Sequence, residues 1–242
     1  MHVPLPPVTT LRDFYAFEQH VKTCRAQRGL DMVPEWYQVP VFYFGNPVNI
    51  LGDGDPVSPP QGCEKLDYEL ELACVIGHEC RTLPPTDEAL QAVLGFTIMN
   101  DWSARDLQAL EMKVGLGPSK GKDFATSLGP HVVTFDELQD SYRDGRLHLK
   151  MTASVNGRVL SRGNAGTMHW TWPQLLAHAS RDTTLRPGDV LGSGTVGSGC
   201  ILELTPEAAH GWLKPADLVV LEIEKIGTLS NTVAAHPHPP RA

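Results

Sequence analysis

The segment from Leu66 to Leu72 alternates acidic and apolar residues, and this pattern constrains the fold more than any other in the chain. Its carboxylates are Asp67, Glu69 and Glu71. Successive side chains of a strand point to opposite faces, so the pattern predicts a strand with all three carboxylates on one face. Carboxylates held so close together repel one another, and a hard divalent cation removes that repulsion. The alternative interpretation is an antiparallel strand whose acidic face is solvated.

The overall composition indicates a globular protein without a nucleic-acid-binding surface. A chain of 242 residues with 41% hydrophobic and 20% charged residues fits one large domain or two small ones. The net charge of −8 argues against a phosphate-backbone partner, which requires basic patches. No basic run interleaved with aromatic residues is present.

The sequence carries no recognisable signal for export or membrane insertion. Residues 1–10 lack a charged segment followed by an apolar one. No apolar run approaches the ~20 residues that span a bilayer. The five cysteines are odd in number and include no C-x-x-C pair, which favours reduced thiols. We therefore expect a cytoplasmic protein with no membrane partner.

Helices, turns and short strands alternate in the first half of the chain. Residues 1–9 are expected to form an extended lead-in. The capping-box pattern from Thr10 to Asp13 predicts a helix over residues 11–28. Further along, we predict strands at 66–77 and 95–100, a short helix at 84–93 and a helix from 103 to 113.

The second half of the chain is predicted to consist mostly of strands. The pair Asn156-Gly157 is a strong signal for a tight hairpin. Residues 229–242 are expected to be a disordered tail. The predicted elements are strands at 130–134, 147–155, 158–161, 189–192, 200–204 and 218–226, with a helix at 172–180. Many short strands with a few helices predict one α+β domain over residues 10–228.

The stretch from Gly192 to Gly197 matches the G-x-G-x-x-G pattern of dinucleotide-binding sites. Such a site needs a helix directly after the glycines, whose N-terminus holds the pyrophosphate. Residues 198–204 are predicted to be a strand instead. We therefore interpret the stretch as a tight connection that exposes Thr195.

Seven motifs in a fixed order resemble the fumarylacetoacetate hydrolase family, and together they run from Asp13 to Ile226. They are DFYAFEQH (13–20), LDYELEL (66–72), MNDWSARDLQ (99–108), GPSKGKDFAT (117–126), LRPGD (185–189), SGT (193–195) and LEL (202–204). The resemblance implies a mixed β-roll, a partly open barrel with flanking helices, that forms a homodimer. The animal members carry an additional N-terminal SH3-like barrel, for which this chain has no room.

The resemblance also implies a metal centre. The matching ligands are Asp13, Glu69, Glu71 and Asp101, although Asp13 fits equally well as the N3 residue of its capping box. Lys122 and Thr126 match residues near an accessory metal position. The implied cofactor is Mg²⁺ or Ca²⁺, with Mn²⁺ as a further alternative.

Catalytic groups are implied in the same way. His20 matches the family's general base, and Glu203 matches the carboxylate that orients it. The seven-residue spacing from Asp13 to His20 corresponds to two helical turns, so one helix face could carry both. Arg105, Gln108 and Lys122 match the groups that stabilise the oxyanion. Contacts to substrate are implied for Tyr15, Tyr43, Arg105, Gln108 and Thr195.

The implied activity is metal-dependent cleavage of a carbon–carbon bond in a diketo acid such as fumarylacetoacetate, within aromatic amino-acid and tyrosine breakdown. Alternatives inside the family are acylpyruvate hydrolysis, oxaloacetate decarboxylation and isomerisation of 2-hydroxy-dienedioates. Outside it, the chain could be a non-catalytic metal-binding domain or a subunit that needs an N-terminal partner. Two departures leave the substrate open. Met112 replaces a substrate-contacting tyrosine of the animal members, and their early arginine matches either Arg25 or Arg28.

Overall fold

Two β-sheets organise the chain in the computed structural model, which describes residues 2–235. The strands are β1 His2–Pro4, β2 Leu11–Phe14, β3 Phe42–Gly45, β4 Ile50–Leu51, β5 Leu66–Asp67, β6 Leu70–Ile76, β7 Cys80–Arg81, β8 Val93–Asn100, β9 Ser103–Ala104, β10 Thr126–Leu128, β11 His131–Thr134, β12 Tyr142–Arg143, β13 Arg146–Leu147, β14 Lys150–Val155, β15 Arg158–Asn164, β16 Thr184–Leu185, β17 Val190–Gly192, β18 Leu218–Ile223 and β19 Gly227–Thr232. The α-helices are α1 Glu18–Ala26, α2 Arg105–Glu111, α3 Trp172–Ser180, α4 Ile201–Leu204 and α5 Pro206–Ala209. Short 3₁₀ helices cover Pro34–Tyr37, Asp87–Ala92, Phe135–Ser141 and Ala165–Thr167.

The larger sheet has the order β1-β11-β8-β6-β17-β2-β3, with β10 and β4 branching from β8. Its central strand β6 is buried along its whole length. Leu70, Leu72 and Cys74 point into the main core. Ala73 and Val75 point into a smaller core on the opposite face. The predicted period of two therefore holds, but both faces of this strand are buried, so the interpretation of a solvated acidic face is wrong.

The second sheet has the order β15-β14-β18-β19. Asn156 and Gly157 connect β14 to β15 with φ values of 51° and 78°. Two positive φ angles in succession are what a type I′ hairpin turn requires, and Asn-Gly supplies them at low cost. The hairpin predicted from these two residues is therefore confirmed. The α+β class is confirmed as well, because the strands are mixed in direction and helices flank them.

The helix predicted over residues 11–28 is wrong in its first half. Leu11–Phe14 forms β2, which lies parallel to β17 and antiparallel to β3. The hydroxyl of Thr10 donates to Asp189 at 2.8 Å and does not cap a helix. The helix begins only at Glu18. Pairing with two strands distant in sequence has overridden the local capping pattern.

Two further predictions need correction. Residues 201–204 form the helix α4 where a strand was predicted. Residues 229–232 belong to β19, paired with β18, where a disordered tail was expected; residues 236–242 lie outside the described residues. In the lead-in, β1 pairs with β11. No helix within residues 2–235 has the length and apolar character needed to cross a membrane.

Candidate metal and active site

Four carboxylates converge at one end of the large sheet. Asp13 lies on β2, Glu71 on β6, Glu69 just before β6, and Asp101 directly after β8. One oxygen from each side chain lies within 4.8 Å of the others, and all four residues are buried. Asp67, which the alternation placed with them, is not part of this group. The structure thus brings together the four predicted ligands, and Asp13 belongs with them instead of capping a helix.

Glycines at the end of β17 allow the carboxylates to approach so closely. A Cβ atom on Gly192 would lie 2.5 Å from Oδ1 of Asp13 and 3.0 Å from Oε2 of Glu71. Gly194 has a φ of +80°, and its amide donates to the same two oxygens at 3.2 and 3.0 Å. The G-x-G-x-x-G stretch therefore lines the acidic cluster. Sequence reasoning missed this role, although the glycine pattern was the signal for it.

The motif around Asp101 holds that residue through its neighbours. Asn100 accepts a hydrogen bond from the amide of Glu69 at 2.9 Å, which ties the two acidic segments together. Trp102 is fully buried, and its indole N–H donates to Ser127 Oγ at 2.8 Å. A polar anchor on one side and an aromatic anchor on the other fix the backbone of Asp101.

The positive charges in the site are too few to neutralise four carboxylates. Nζ of Lys122 lies 2.5 Å from Oε2 of Glu69 and 2.5 Å from Oδ2 of Asp101. Arg105 lies 2.8 Å from the other oxygen of Glu69. Burial alone would raise the pKa of Glu69, but the charges of Lys122 and then Arg105 outweigh it and hold that pKa below its ordinary value.

Asp13 and Glu71 lack such compensation. Burial raises the pKa of both well above the ordinary range, and neighbouring carboxylates raise it further. Oδ1 of Asp101 is buried and has no hydrogen-bond partner within the described residues. Hard oxygen donors, uncompensated negative charge and an unpaired oxygen fit a divalent cation, and these acidic residues are positioned to bind one.

We expect Mg²⁺ binding to release protons. In the metal-free fold, Asp13 and Glu71 hold protons at pH values where an unfolded chain has released them. The metal-free protein should therefore lose stability as the pH rises above ~4, the ordinary carboxyl value, and Mg²⁺ affinity should increase with pH. Calorimetry in two buffers of different ionisation enthalpy measures the release. A binding enthalpy independent of the buffer would contradict this expectation.

His20 and Glu203 form a buried pair beside the acidic cluster. Nδ1 of His20, on α1, lies 2.5 Å from Oε1 of Glu203, on α4. The amide of Ser198 donates to the other oxygen of Glu203 at 2.9 Å. The ring of Tyr15 meets the His20 ring edge-on at 5.4 Å. His20 does not share a helix with Asp13, because Asp13 lies on β2, so the predicted common helix face is wrong.

The protonation of His20 depends on its neighbours. Burial alone would lower its pKa, but hydrogen bonds with Cys200 and Glu203 reverse the effect and raise the pKa to about 10. His20 is therefore protonated at neutral pH in the metal-free protein. The charge of His20 also acts on Glu69. His20 must lose this proton before it can act as a base.

Arg105 and Asp67 link the acidic cluster to the helix that carries Glu203. Nε of Arg105 donates to Oδ2 of Asp67 at 2.9 Å. The same carboxylate accepts the amides of Ile201 at 2.8 Å and Leu202 at 3.0 Å. These amides begin α4 and have no partner within that helix. Asp67 thus positions Arg105 and α4 together, a role that sequence reasoning did not find.

Asp67→Asn should separate positioning from metal binding. In either orientation the asparagine NH2 group would face a donor, which is the Ile201 amide in one orientation and Arg105 Nε with the Leu202 amide in the other. Removing one partner of a buried ion pair typically costs ~3–5 kcal/mol in the free energy of unfolding. We expect that loss together with a lower kcat and unchanged Mg²⁺ affinity, measured by denaturant unfolding, kinetics and calorimetry.

The control is Asp140→Asn, which removes an exposed pair with Lys225 worth ~1 kcal/mol or less. Lost Mg²⁺ affinity in Asp67→Asn would contradict the assignment.

Other predicted substrate contacts lie around this site. Tyr43 donates to Oδ2 of Asp101 at 2.6 Å, and Thr195 donates to Oε1 of Glu71 at 3.3 Å. Thr195 is buried, so the interpretation that the Gly-rich stretch exposes it is wrong. Tyr15 is partly buried, and burial raises its pKa. Gln108 accepts a hydrogen bond from Nη1 of Arg105 at 3.1 Å.

Thr126 is less closely associated with the site. Its amide donates to the carbonyl of Asn49 at 3.1 Å, and within residues 2–235 its side chain makes no hydrogen bond to Lys122. The accessory metal position therefore stays a prediction. Of the two arginines, the charge of Arg28 acts on Tyr15, whereas Arg25 donates to the carbonyl of Asp31.

Comparison with known proteins gives the same family as the motifs. Residues 9–234 match the family model described as fumarylacetoacetate (FAA) hydrolase C-terminal, so the chain belongs to this family. It is 34% identical to the fumarylacetoacetase of Arabidopsis thaliana, over 80% of this chain and 57% of that protein. The chain thus spans less than two thirds of that relative.

Two solved structures share the fold. A 5-carboxymethyl-2-hydroxymuconate delta-isomerase from Mycobacterium smegmatis is 28% identical, with a TM-score of 0.72 over 96% of this chain and 81% of that one. A fumarylpyruvate hydrolase from Pseudomonas aeruginosa, in complex with Mn²⁺ and pyruvate, is 21% identical, with a TM-score of 0.76 over 98% of this chain and 96% of that one. The predicted fold is therefore confirmed, and the family contains both hydrolases and isomerases.

Proposed function

We propose that this chain is a metal-dependent hydrolase that cleaves a carbon–carbon bond of a diketo acid such as fumarylacetoacetate, giving fumarate and acetoacetate. The observation that supports this most is the hydrogen-bonded pair of His20 and Glu203 next to the acidic cluster. Isomerisation and decarboxylation can proceed by metal-assisted enolisation alone, whereas hydrolysis needs a group that activates water.

The four clustered carboxylates would hold the cation. Oxygen donors of this kind favour Mg²⁺ or Ca²⁺, and Mn²⁺ is also compatible. Bound there, the cation supplies a Lewis acid for the adjacent oxygens of a diketo or 2-oxo acid. The metal-bound Pseudomonas aeruginosa relative is consistent with this chemistry.

His20 would act on water through Nε2, because Nδ1 is held by Glu203. Water adds to the ketone carbon and gives its proton to His20. The carbon–carbon bond then breaks, its electron pair leaves as an enolate, and the enolate takes up the proton from His20. This order of steps consumes one water and restores the base.

Arg105 and Gln108 are suited to stabilise the oxyanion that forms when water adds. Arg105 donates to Oε1 of Gln108, which leaves the amide N–H groups of Gln108 available as donors. Lys122 supplies the further positive charge. Each such donor contributes ~3–4 kcal/mol to transition-state stabilisation.

We expect the purified chain to cleave fumarylacetoacetate with weak discrimination against acylpyruvates. Met112, 40% exposed after α2, offers no hydroxyl to the substrate. One neutral hydrogen bond is worth ~1 kcal/mol, or roughly fivefold in a rate ratio. Met112→Tyr should raise the preference for fumarylacetoacetate by about that factor, measured as kcat/KM for fumarylacetoacetate, an acylpyruvate and oxaloacetate.

Val159→Tyr is the matched control, because Val159 is 41% exposed but lies on β15 of the other sheet. It should leave every ratio unchanged. Fastest turnover of oxaloacetate, without diketo-acid cleavage, would favour a decarboxylase, and ketonisation of a 2-hydroxy-dienedioate alone would favour an isomerase. No turnover of any of these compounds would favour a metal-binding domain or a subunit that needs a partner.

A further inference from the structure

A second cluster of metal-ligating side chains adjoins the acidic one. His20 and Cys24 lie one turn apart on α1, and Cys200 directly precedes α4. One ligand atom from each of the three residues lies within 4.8 Å of the others. All three are buried, with exposures of 4%, 4% and 0%. None of the catalytic steps proposed above uses either thiol.

A small tetrahedral ion could bind in this cluster if the Cys24 side chain turned toward Nε2 of His20. Sγ of Cys24 lies 3.9 Å from Nε2 and 3.8 Å from Nδ1 of His20, so the thiol is equally close to both ring nitrogens. A tetrahedral zinc ion with bonds of ~2.3 Å to sulfur and ~2.0 Å to nitrogen separates these two ligand atoms by ~3.6 Å. Such an ion would also place the sulfur ~5 Å from Nδ1, so the Cys24 side chain must turn toward Nε2 by more than ~1 Å to bind it. A water or another small ligand would complete the fourth position.

The chemistry of the donors differs from that of the acidic cluster. Two thiols and an imidazole select soft or borderline ions such as Zn²⁺, whereas the four carboxylates select hard ions. Glu203 already binds Nδ1 of His20, the arrangement in which a carboxylate orients a histidine whose other nitrogen holds zinc. Zinc at this position would take the same Nε2 that the proposed hydrolysis requires for water.

We propose that His20, Cys24 and Cys200 form a second metal site, for a thiophilic ion such as Zn²⁺, whose occupation removes His20 from catalysis. The inhibition rests on the proposed role of His20, but the binding does not. The enzyme would thus take a hard cation for activity and be inhibited by a thiophilic one a short distance away.

The test uses Co²⁺ as a spectroscopic substitute for Zn²⁺, with saturating Mg²⁺ to occupy the carboxylates. Wild type should develop a near-ultraviolet band from thiolate-to-cobalt charge transfer. Added Zn²⁺ should abolish the band by displacing Co²⁺. Cys24→Ser and Cys24→Val should weaken binding by more than the ~10–100-fold that is typical of losing an outer partner of a zinc histidine. Two variants are used in case one fails to fold.

Cys80→Ser is the control, because Cys80 is a half-buried thiol outside the cluster. It should keep both the band and the inhibition. The ratio of turnover with and without Zn²⁺ should fall in wild type and stay near one in Cys24→Ser. Absence of the band in wild type, or an unchanged band in both Cys24 variants, would overturn the site. Because the band is read without turnover, this failure is distinct from failure of the proposed hydrolase.

Discussion

Replacing His20 by alanine should lower turnover of a diketo acid by ~10²–10⁴-fold, the loss typical for removal of a general base. Affinity for Mg²⁺ should stay at the wild-type value, because His20 is not one of the four clustered carboxylates. The same division is expected for Glu203→Gln, since Glu203 acts by holding Nδ1 of His20. Steady-state kinetics and calorimetric titration with Mg²⁺ measure the two effects separately.

The double variant tests whether the pair works as one unit. Residues that act together lose activity non-additively, so His20→Ala/Glu203→Gln should be little worse than His20→Ala alone. Gln19→Ala is the control, because Gln19 is an exposed neighbour of His20 on α1. A double variant that loses the product of the two single losses would contradict the pair. Oxaloacetate decarboxylation at the wild-type rate in His20→Ala would indicate that hydrolysis is not the chemistry of this chain.

Features specified by neighbouring residues were predictable from the sequence. Asn156-Gly157 fixes its hairpin because the two residues themselves adopt the required positive φ angles. The helix over Trp172–Ser180 was predicted with the bounds it has, and its capping box of Thr171 and Gln174 is local as well. In each case the interactions that determine the element lie within a few positions of one another.

Features set by distant residues were not predictable in this way. The sequence pattern of residues 201–204 predicts a strand, yet they form α4. Asp67, 134 positions away, accepts the hydrogen bonds of the first two amides of this helix. The pattern at Leu11–Phe14 predicts the start of a helix, yet this segment is a strand that pairs with β17 on one side and β3 on the other. The alternation alone predicted clustered carboxylates but included Asp67, and only the resemblance to one family added Asp13 to the set. The proximity of Cys24 and Cys200 had no signal in their spacing.

Glu71→Gln should abolish Mg²⁺ binding and activity, and it should also make the metal-free protein more stable than wild type. Glu71 is fully buried, and its pKa is raised by burial and then by the charge of Asp13. Each unit by which a buried carboxyl pKa is raised corresponds to ~1.4 kcal/mol of folding stability lost above that pKa. Glutamine removes this penalty, because it carries no charge and can still accept the amide hydrogen bond of Gly194.

The matched control is Asp189→Asn, which changes another buried carboxylate, directly before β17 of the same sheet. Asp189 accepts hydrogen bonds from Thr9 and Thr10 and forms an ion pair with Arg12 at 3.6 Å, so its charge is compensated within the protein. Asp189→Asn should therefore lower stability and leave Mg²⁺ affinity unchanged, the reverse of Glu71→Gln. Thermal unfolding with and without Mg²⁺ at pH 8 measures both. A Glu71→Gln protein that is less stable without metal and still binds Mg²⁺ would show that Glu71 supports the fold and does not hold the cation.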